Sequence, residues 1–158
     1  MKNLVDVDVD ELLSSESTAV GLDVGDKTVG MAVADRRIKI AGGITTVART
    51  GIIEKDCELI RRHLEPYKIG LVIFGWPVQM NGIPGEQCEK VLKFVTKLSA
   101  RLPANYAEWD ERFSSSAVDD VMIQANLSRR KRKKFIDKTA AVYILQGALD
   151  FLNRTSGG

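Results

Sequence analysis

Residues 69–74 read Ile-Gly-Leu-Val-Ile-Phe, an uninterrupted apolar run that stops at Gly75. Such a run is what a strand buried on both faces requires, so the sheet that holds it needs a cover on each side. The covering material is legible in the flanking sequence. Upstream, Ile53, Cys57, Ile60 and Leu64 recur at helical spacing, and Pro66 closes the segment. Downstream, Cys88, Val91, Leu92, Val95 and Leu98 mark a second amphipathic helix that ends before Pro103. A layered α/β domain follows from this alternation. With 158 residues, the chain can bury roughly 70% of its unfolded surface without a disulfide or a structural metal. Nothing in it approaches the ~20 consecutive apolar residues that span a bilayer.

The remaining segments complete the order. Ala19–Gly25 and Thr28–Asp35 are strand-like runs separated by a short turn at Asp26–Lys27, and Gly43–Ala48 extends them into an antiparallel meander. Asn105–Trp109 is a short strand, Val118, Val121, Met122 and Ala125 mark a third helix, and a last helix runs from about Ile136 to Leu152. The sequence β-β-β-α-β-α-β-α-α predicts a mixed five-stranded sheet with helices on both faces. Among small domains that order is the ribonuclease H fold. Residues 17–158 are read as one such domain, and residues 1–16, which lack an apolar period, as an acidic mobile tail.

The net charge of +2 hides an asymmetry. Residues 1–16 sum to −4, through Asp6, Asp8, Asp10, Glu11 and Glu16 against Lys2, which leaves +6 for the rest. Arg129–Lys138 alone carries seven basic residues against Asp137. Charge gathered on one segment is the footprint of a polyanion-binding surface, although a solvated basic loop has the same composition. The acidic start has no apolar run like a signal peptide's and is unlike an organellar transit peptide, so a cytoplasmic location is expected, with an organelle as the alternative in a eukaryote. Cys57 and Cys88 fall on apolar helical stripes and read as core thiols rather than a disulfide framework.

Three acidic positions stand out. In the first strand Val20, Leu22 and Val24 share one face, while Asp23 shares the other with Gly21 and Gly25. The second strand repeats the pattern, with Gly30, Ala32 and Ala34 opposite Val29, Met31 and Val33. Asp23 thus stands on a face stripped of bulk, where a metal ion, a phosphate or another backbone could approach closely. Asp137 lies on the stripe formed by Ala140, Ala141, Ile144, Ala148 and Leu152, which should face the sheet. A carboxylate there needs a cation, hydrogen bonds or a proton, although an N-cap role would also satisfy it. Asp110 and Glu111 end the short strand; alternation groups Asp110 with Glu108 and Tyr106, and Glu111 with Trp109 and Ala107. Parity alone does not choose between the two, and Arg112 could pair with whichever acid is left over.

Acids from the first strand, a later strand end and the final helix could converge over one sheet edge. Their mutual repulsion would raise their pKa values, whereas Mg²⁺ or Mn²⁺ would turn them into hard oxygen ligands. Two such ions about 4 Å apart can activate a water and stabilise the leaving oxygen in phosphodiester hydrolysis. His63, the single histidine, sits on a predicted helix, which leaves a zinc site or a histidine-based triad poorly supported.

The same residues carry a family likeness. Gly21-Leu22-Asp23-Val24-Gly25-Asp26-Lys27-Thr28-Val29-Gly30-Met31-Ala32-Val33 resembles the opening motif of the YqgF/RuvX family of Holliday junction resolvases and pre-16S ribosomal RNA nucleases. Ile73 to Gly82 is similar to its Gly-x-Pro-x-x-x-x-Gly loop, Asp110 to Ser115 to its Asp-Glu-Arg segment, and Ile136 to Gln146 to its final-helix motif. The resemblance implies a ribonuclease H fold, metal-dependent cleavage of nucleic acid, and metal-binding acids at Asp23, Asp137 and the 110–111 pair. It also implies that the 75–82 loop, Asn81 included, and the basic segment touch substrate. Asp26 and Trp76 depart from the family's usual residues, a polar Thr or Ser and an aliphatic one.

The expectation is therefore a nuclease using two ions of Mg²⁺ or Mn²⁺ on structured RNA, such as a ribosomal RNA precursor, or on branched, Holliday-junction-like DNA. Asp23 would bridge the metals, with Glu111 or Asp110 and Asp137 completing the set. Lys27, Arg112, Arg129, Arg130, Lys131, Arg132, Lys133 and Lys134 would hold phosphates electrostatically. Trp76, at a loop tip, would stack on an unpaired base or serve as a buried anchor. No membrane partner is expected, and the chain would be a monomer or a weak homodimer. Two other classes share the fold signals: a non-catalytic nucleic-acid-binding module, which has no need of carboxylates facing phosphates, and a sugar-kinase or actin-like ATPase, which closes two such domains over its nucleotide and would need a longer chain.

Overall fold

The computed structural model describes residues 2–3, 17–35, 41–77, 85–110 and 140–151. Within them six strands form one mixed sheet: β1 (Lys2–Asn3), β2 (Thr18–Val24), β3 (Thr28–Asp35), β4 (Ala41–Ala48), β5 (Ile69–Trp76) and β6 (Asn105–Asp110), in the spatial order β1-β6-β5-β2-β3-β4. β2, β3 and β4 make the antiparallel meander. β5 lies parallel to β2, and β6 parallel to β5. Parallel neighbours need crossover connections, and helices α1 (Ile53–Leu64) and α2 (Glu86–Arg101) supply them. A third helix, α3, occupies residues 140–151.

All five expected strands are present, with boundaries within two residues of those read from the sequence. The tail differs. Lys2 and Asn3, placed by the sequence in a mobile segment, pair in parallel with Ala107 and Glu108. A two-residue pairing is made by backbone groups alone and leaves no apolar pattern to read, and it covers an edge of β6 that would otherwise be open. Residues 4–16, the helix expected over 118–125, the basic run 129–134 and the start of the last helix lie outside the described residues.

The core has two layers. On one face, Val20, Leu22 and Val24 of β2, Val29 and Met31 of β3, Val72 and Phe74 of β5 and Tyr106 of β6 pack against Cys57, Ile60 and Leu64 of α1 and Val91, Phe94, Val95 and Leu98 of α2. Each large side chain buried this way contributes roughly 1.5–3 kcal/mol. On the other face, Ala19, Ala32, Ala34, Leu71, Ile73 and Ala107 meet Ala141, Ile144, Leu145 and Ala148 of α3. Cys57 and Cys88 are buried and not in a disulfide, and burial pushes the Cys57 thiol up from its ordinary value. Among the described residues no helix is long and apolar enough to cross a membrane.

The small residues of β2 and β3 mark how close α3 comes. A Cβ on Gly21 would lie 2.6 Å from the Ala141 carbonyl oxygen and 2.7 Å from the Leu145 Cβ. The space left by this glycine is filled by helix backbone, so of the occupants the sequence allowed there, it is the second backbone that takes it. Trp109 of β6 holds the same helix further along: its ring stands where a Cβ on Gly147 would come within 3.1 Å, and it meets the Phe151 ring edge-on at 6.1 Å.

Two outcomes are expected. Gly21→Ala drives a methyl into main-chain atoms that have nowhere to go, and should cost on the order of 2–3 kcal/mol in urea unfolding. Glu108 is half-buried, and burial pushes its carboxyl above the ordinary value. Folding then favours the protonated form, so this residue's contribution falls as pH rises through its folded pKa. Glu108→Gln should raise Tm by about 1–2 °C at pH 7.5 and leave it unchanged below the unfolded carboxylate range, read by thermal melts at the two pH values.

Candidate active site

β2, β5 and β6 run in the same direction and finish at one edge of the sheet, at Val24, Trp76 and Asp110. In open α/β sheets, ligands bind outside the carboxyl ends of such strands. Asp23 is the penultimate residue of β2, half-buried and directly across from Gly30 of β3. Because Leu22 and Val24 point into the α1/α2 layer, alternation puts Asp23 on the α3 face.

The turn that follows is held tightly. The Gly25 N–H donates to the Thr28 carbonyl at 2.8 Å, and the Arg49 N–H donates to the Lys27 carbonyl at 2.8 Å. Arg49 Nη1 donates to the Gly25 carbonyl at 2.9 Å, while its Nε donates to Asp56 Oδ2 at 3.2 Å. The guanidinium also lies over the Phe94 ring, 4.9 Å from its centre. Asp56 is 2% exposed, and its other oxygen accepts the Thr50 N–H and hydroxyl, both at 2.8 Å. Burial alone would push the Asp56 carboxyl up, but the two Thr50 bonds and the Arg49 cation outweigh it and hold the group below its ordinary value. Gly51, at φ +89°, lets the chain reverse between Arg49 and α1 in a conformation that side-chain-bearing residues rarely adopt. Asp26 faces Lys90 of α2 at 3.6 Å, an exposed pair of small energetic weight.

Reading the sequence did not single out Arg49 and Asp56. A signal was there: Asp56 follows Ile53 by three residues and precedes Ile60 by four, so it sits on the buried stripe of α1 and calls for a cation.

Of the acids expected at the site, the described residues include Asp23 and Asp110. Asp110 is in register with Trp76 of β5, and Trp76 packs against the α1/α2 layer. By the alternation that sends Ala107 and Trp109 to the α3 layer, Asp110 falls on the face opposite Asp23. Trp76 itself ends β5 rather than occupying a loop tip, and its ring meets Phe74 edge-on at 6.2 Å, the packing of an anchor. Lys27 is exposed in the turn. Glu111, Asp137, Asn81, Arg112 and Arg129 to Lys134 lie outside the described residues. Among the described residues no group of three or more His, Cys, Asp or Glu is placed to hold a metal ion. Asp23 on its own suits a hard divalent cation: a carboxylate at the sheet edge, half-buried, with a glycine across from it.

The family model described as RuvX, Holliday junction resolvase, matches residues 17–151. A protein of Clostridium novyi named "Putative pre-16S rRNA nuclease" is 48% identical over 131 residues, covering 83% of this chain and 96% of its own length. One of the same name from Clostridium kluyveri is 43% identical over 135 residues, covering 85% of this chain and 98% of its own. The structure of T. thermophilus RuvC in complex with a Holliday junction substrate superposes with a TM-score of 0.55 at 12% identity, over 89% of this chain and 96% of that one, a likeness of fold. Since the matched region takes in the whole sheet from β2 onward and α3, the chain belongs to the RuvX family of Holliday junction resolvases.

Proposed function

We propose that the chain is a divalent-metal-dependent endonuclease that hydrolyses phosphodiester bonds in structured nucleic acid, with precursor ribosomal RNA of the 16S type as its first substrate and a four-way DNA junction as its second. The observation that carries this reading is the placement of Asp23: a carboxylate on the central strand, at the carboxyl edge of the sheet, in a chain of the RuvX family.

Asp23, Glu111 and Asp137 would hold the metal, probed as Mg²⁺ or Mn²⁺. A pair of such ions supplies an activated water and charge stabilisation for the leaving oxygen. The register disfavours Asp110 for this set, because Asp110 falls on the face opposite Asp23, and Glu111 is therefore the proposed ligand of the pair. Asp137 precedes Ala141 by four residues, and the Ala141 carbonyl is the atom that abuts Gly21, two residues before Asp23. Asp137 enters the set through the likeness of residues 136–146 to the family's final-helix motif. Lys27 in the turn, with Arg112 and Arg129 to Lys134, would bind phosphates electrostatically, so affinity should fall steeply with salt.

The reading is tested with purified protein, Mg²⁺ or Mn²⁺, and two labelled substrates, a precursor-like structured RNA and a four-way DNA junction. Asp23→Asn, Glu111→Gln and Asp137→Asn should each lower cleavage by more than about 10²-fold, since loss of an outer-shell partner alone costs 10–100-fold at metal sites. Asp110→Asn should stay within about threefold of the unaltered protein, and chelator should abolish turnover. Cleavage that survives Asp23→Asn and Asp137→Asn would overturn the site. Salt-sensitive binding with no cleavage by the unaltered protein would make the chain a binding module instead.

A further inference from the structure

The turn between Asp23 and β3 is fixed from the α1/α2 side by an ion pair, Asp56 buried and Arg49 part-buried, that the hydrolytic set does not include. Arg49 reaches Gly25 through its side chain and Lys27 through its backbone, and Asp56 fixes the guanidinium from the other side. Asp56 in turn is fixed by Thr50, the residue next to Arg49. The guanidinium lies over Phe94, a residue of the α1/α2 layer, so it belongs to the face opposite Asp23. The pair cannot touch a substrate held at Asp23. It can act on one only by setting where residues 25–28 sit.

We propose that Arg49 and Asp56 are positioning residues for cleavage, holding the 25–28 turn so that Asp23 and Lys27 stand in a fixed relation to the scissile phosphate; this rests on the hydrolase reading above. A structural ion pair would suffice to attach β4 to α1. It would not require the guanidinium to spend one of its donors on the carbonyl of Gly25, two residues beyond Asp23. Arginine is needed because its planar fork offers separate N–H groups to Asp56 and to Gly25, while a lysine ammonium at the end of a flexible stem cannot reproduce both directions together. Reaction rates are sensitive to placement at this scale: a shift of about 1 Å remote from the chemistry can cost on the order of 10²-fold.

The test compares Arg49→Met, Arg49→Lys and Asp56→Asn with the unaltered full chain by two readouts. The first is amide hydrogen exchange at position 49 and Gly25, with Val72 in β5 as the internal reference for global opening. The second is kcat and KM for the structured RNA and the four-way junction in Mn²⁺. Arg49→Met should speed exchange at both turn amides by about tenfold or more while Val72 stays protected. Its kcat should fall on the order of 10²-fold with KM within about threefold, and Arg49→Lys should fall between it and the unaltered protein. Unchanged exchange at the turn in Arg49→Met would overturn the proposal. So would a loosened turn with unchanged kcat, which would leave the pair a structural tie. If Arg49→Met does not fold, Arg49→Lys and Asp56→Asn carry the same two readouts. An unaltered protein that cleaves neither substrate would sink the hydrolase reading, and the exchange arm would still decide whether the pair holds the turn.

Discussion

The contact between α3 and β2 at Gly21 sets the geometry of everything around it. A helix can bring its backbone against a strand only where the facing side chains are small, and β2 and β3 meet α3 with Ala19, Gly21, Ala32 and Ala34. The opposite face of the same strands carries valine, leucine and methionine, which fill the wider gap to α1 and α2. Asp23 is on the side of small residues, where the backbone of a helix already comes within contact distance of the strand, and that contact, at Ala141 and Leu145, falls inside the segment that resembles the family's final-helix motif.

The carboxyl edge is organised by a different kind of force. Asp56 is taken out of water at a cost that attraction to the part-buried Arg49 alone does not reliably offset. The two bonds from Thr50, the bond to the Gly25 carbonyl and the Phe94 ring are what satisfy the pair. With so many donors and acceptors interlocked, removing one partner leaves another exposed to the full desolvation penalty, roughly 1–3 kcal/mol for a neutral group and more for a charged one. Strands β2, β3 and β4, helix α1 and helix α2 thus meet in one polar knot set in an apolar layer.

Much of this was legible in the sequence because it is written in periodicity. The run 69–74 demands two covering layers, the 3.6-residue stripes of α1 and α2 supply one of them, and the alternation in 19–35 separates a bulky face from a bare one. Asp23 stood out for the same reason, as an acid in a period-two pattern. What the sequence withheld depends on register and distance. It could not show that the room at Gly21 belongs to a helix, because a strand glycine reads the same whether a ligand or a backbone comes near. It left Asp110 and Glu111 undecided, and only the pairing with Trp76 ties Asp110 to the α1/α2 layer. The pairing of Lys2 and Asn3 with β6 involves no side-chain pattern at all. The Arg49–Asp56 pair was visible in part, through the misplaced acid on the α1 stripe, but its partner came from a loop and had no period to betray it.

The two tryptophans end up as neighbours on adjacent parallel strands yet look out on different layers. Trp76 lies against the α1/α2 side with Phe74, and Trp109 against Gly147 and Phe151 of α3. Each indole therefore samples the environment of one layer only, although both belong to the same sheet edge. With Trp76 replaced by phenylalanine, the emission of Trp109 becomes an optical gauge for the seating of the final helix; with Trp109 replaced, Trp76 reports on the far layer. The protein carries its own pair of spectroscopic channels, able to tell the lifting of one helix from the melting of the whole domain.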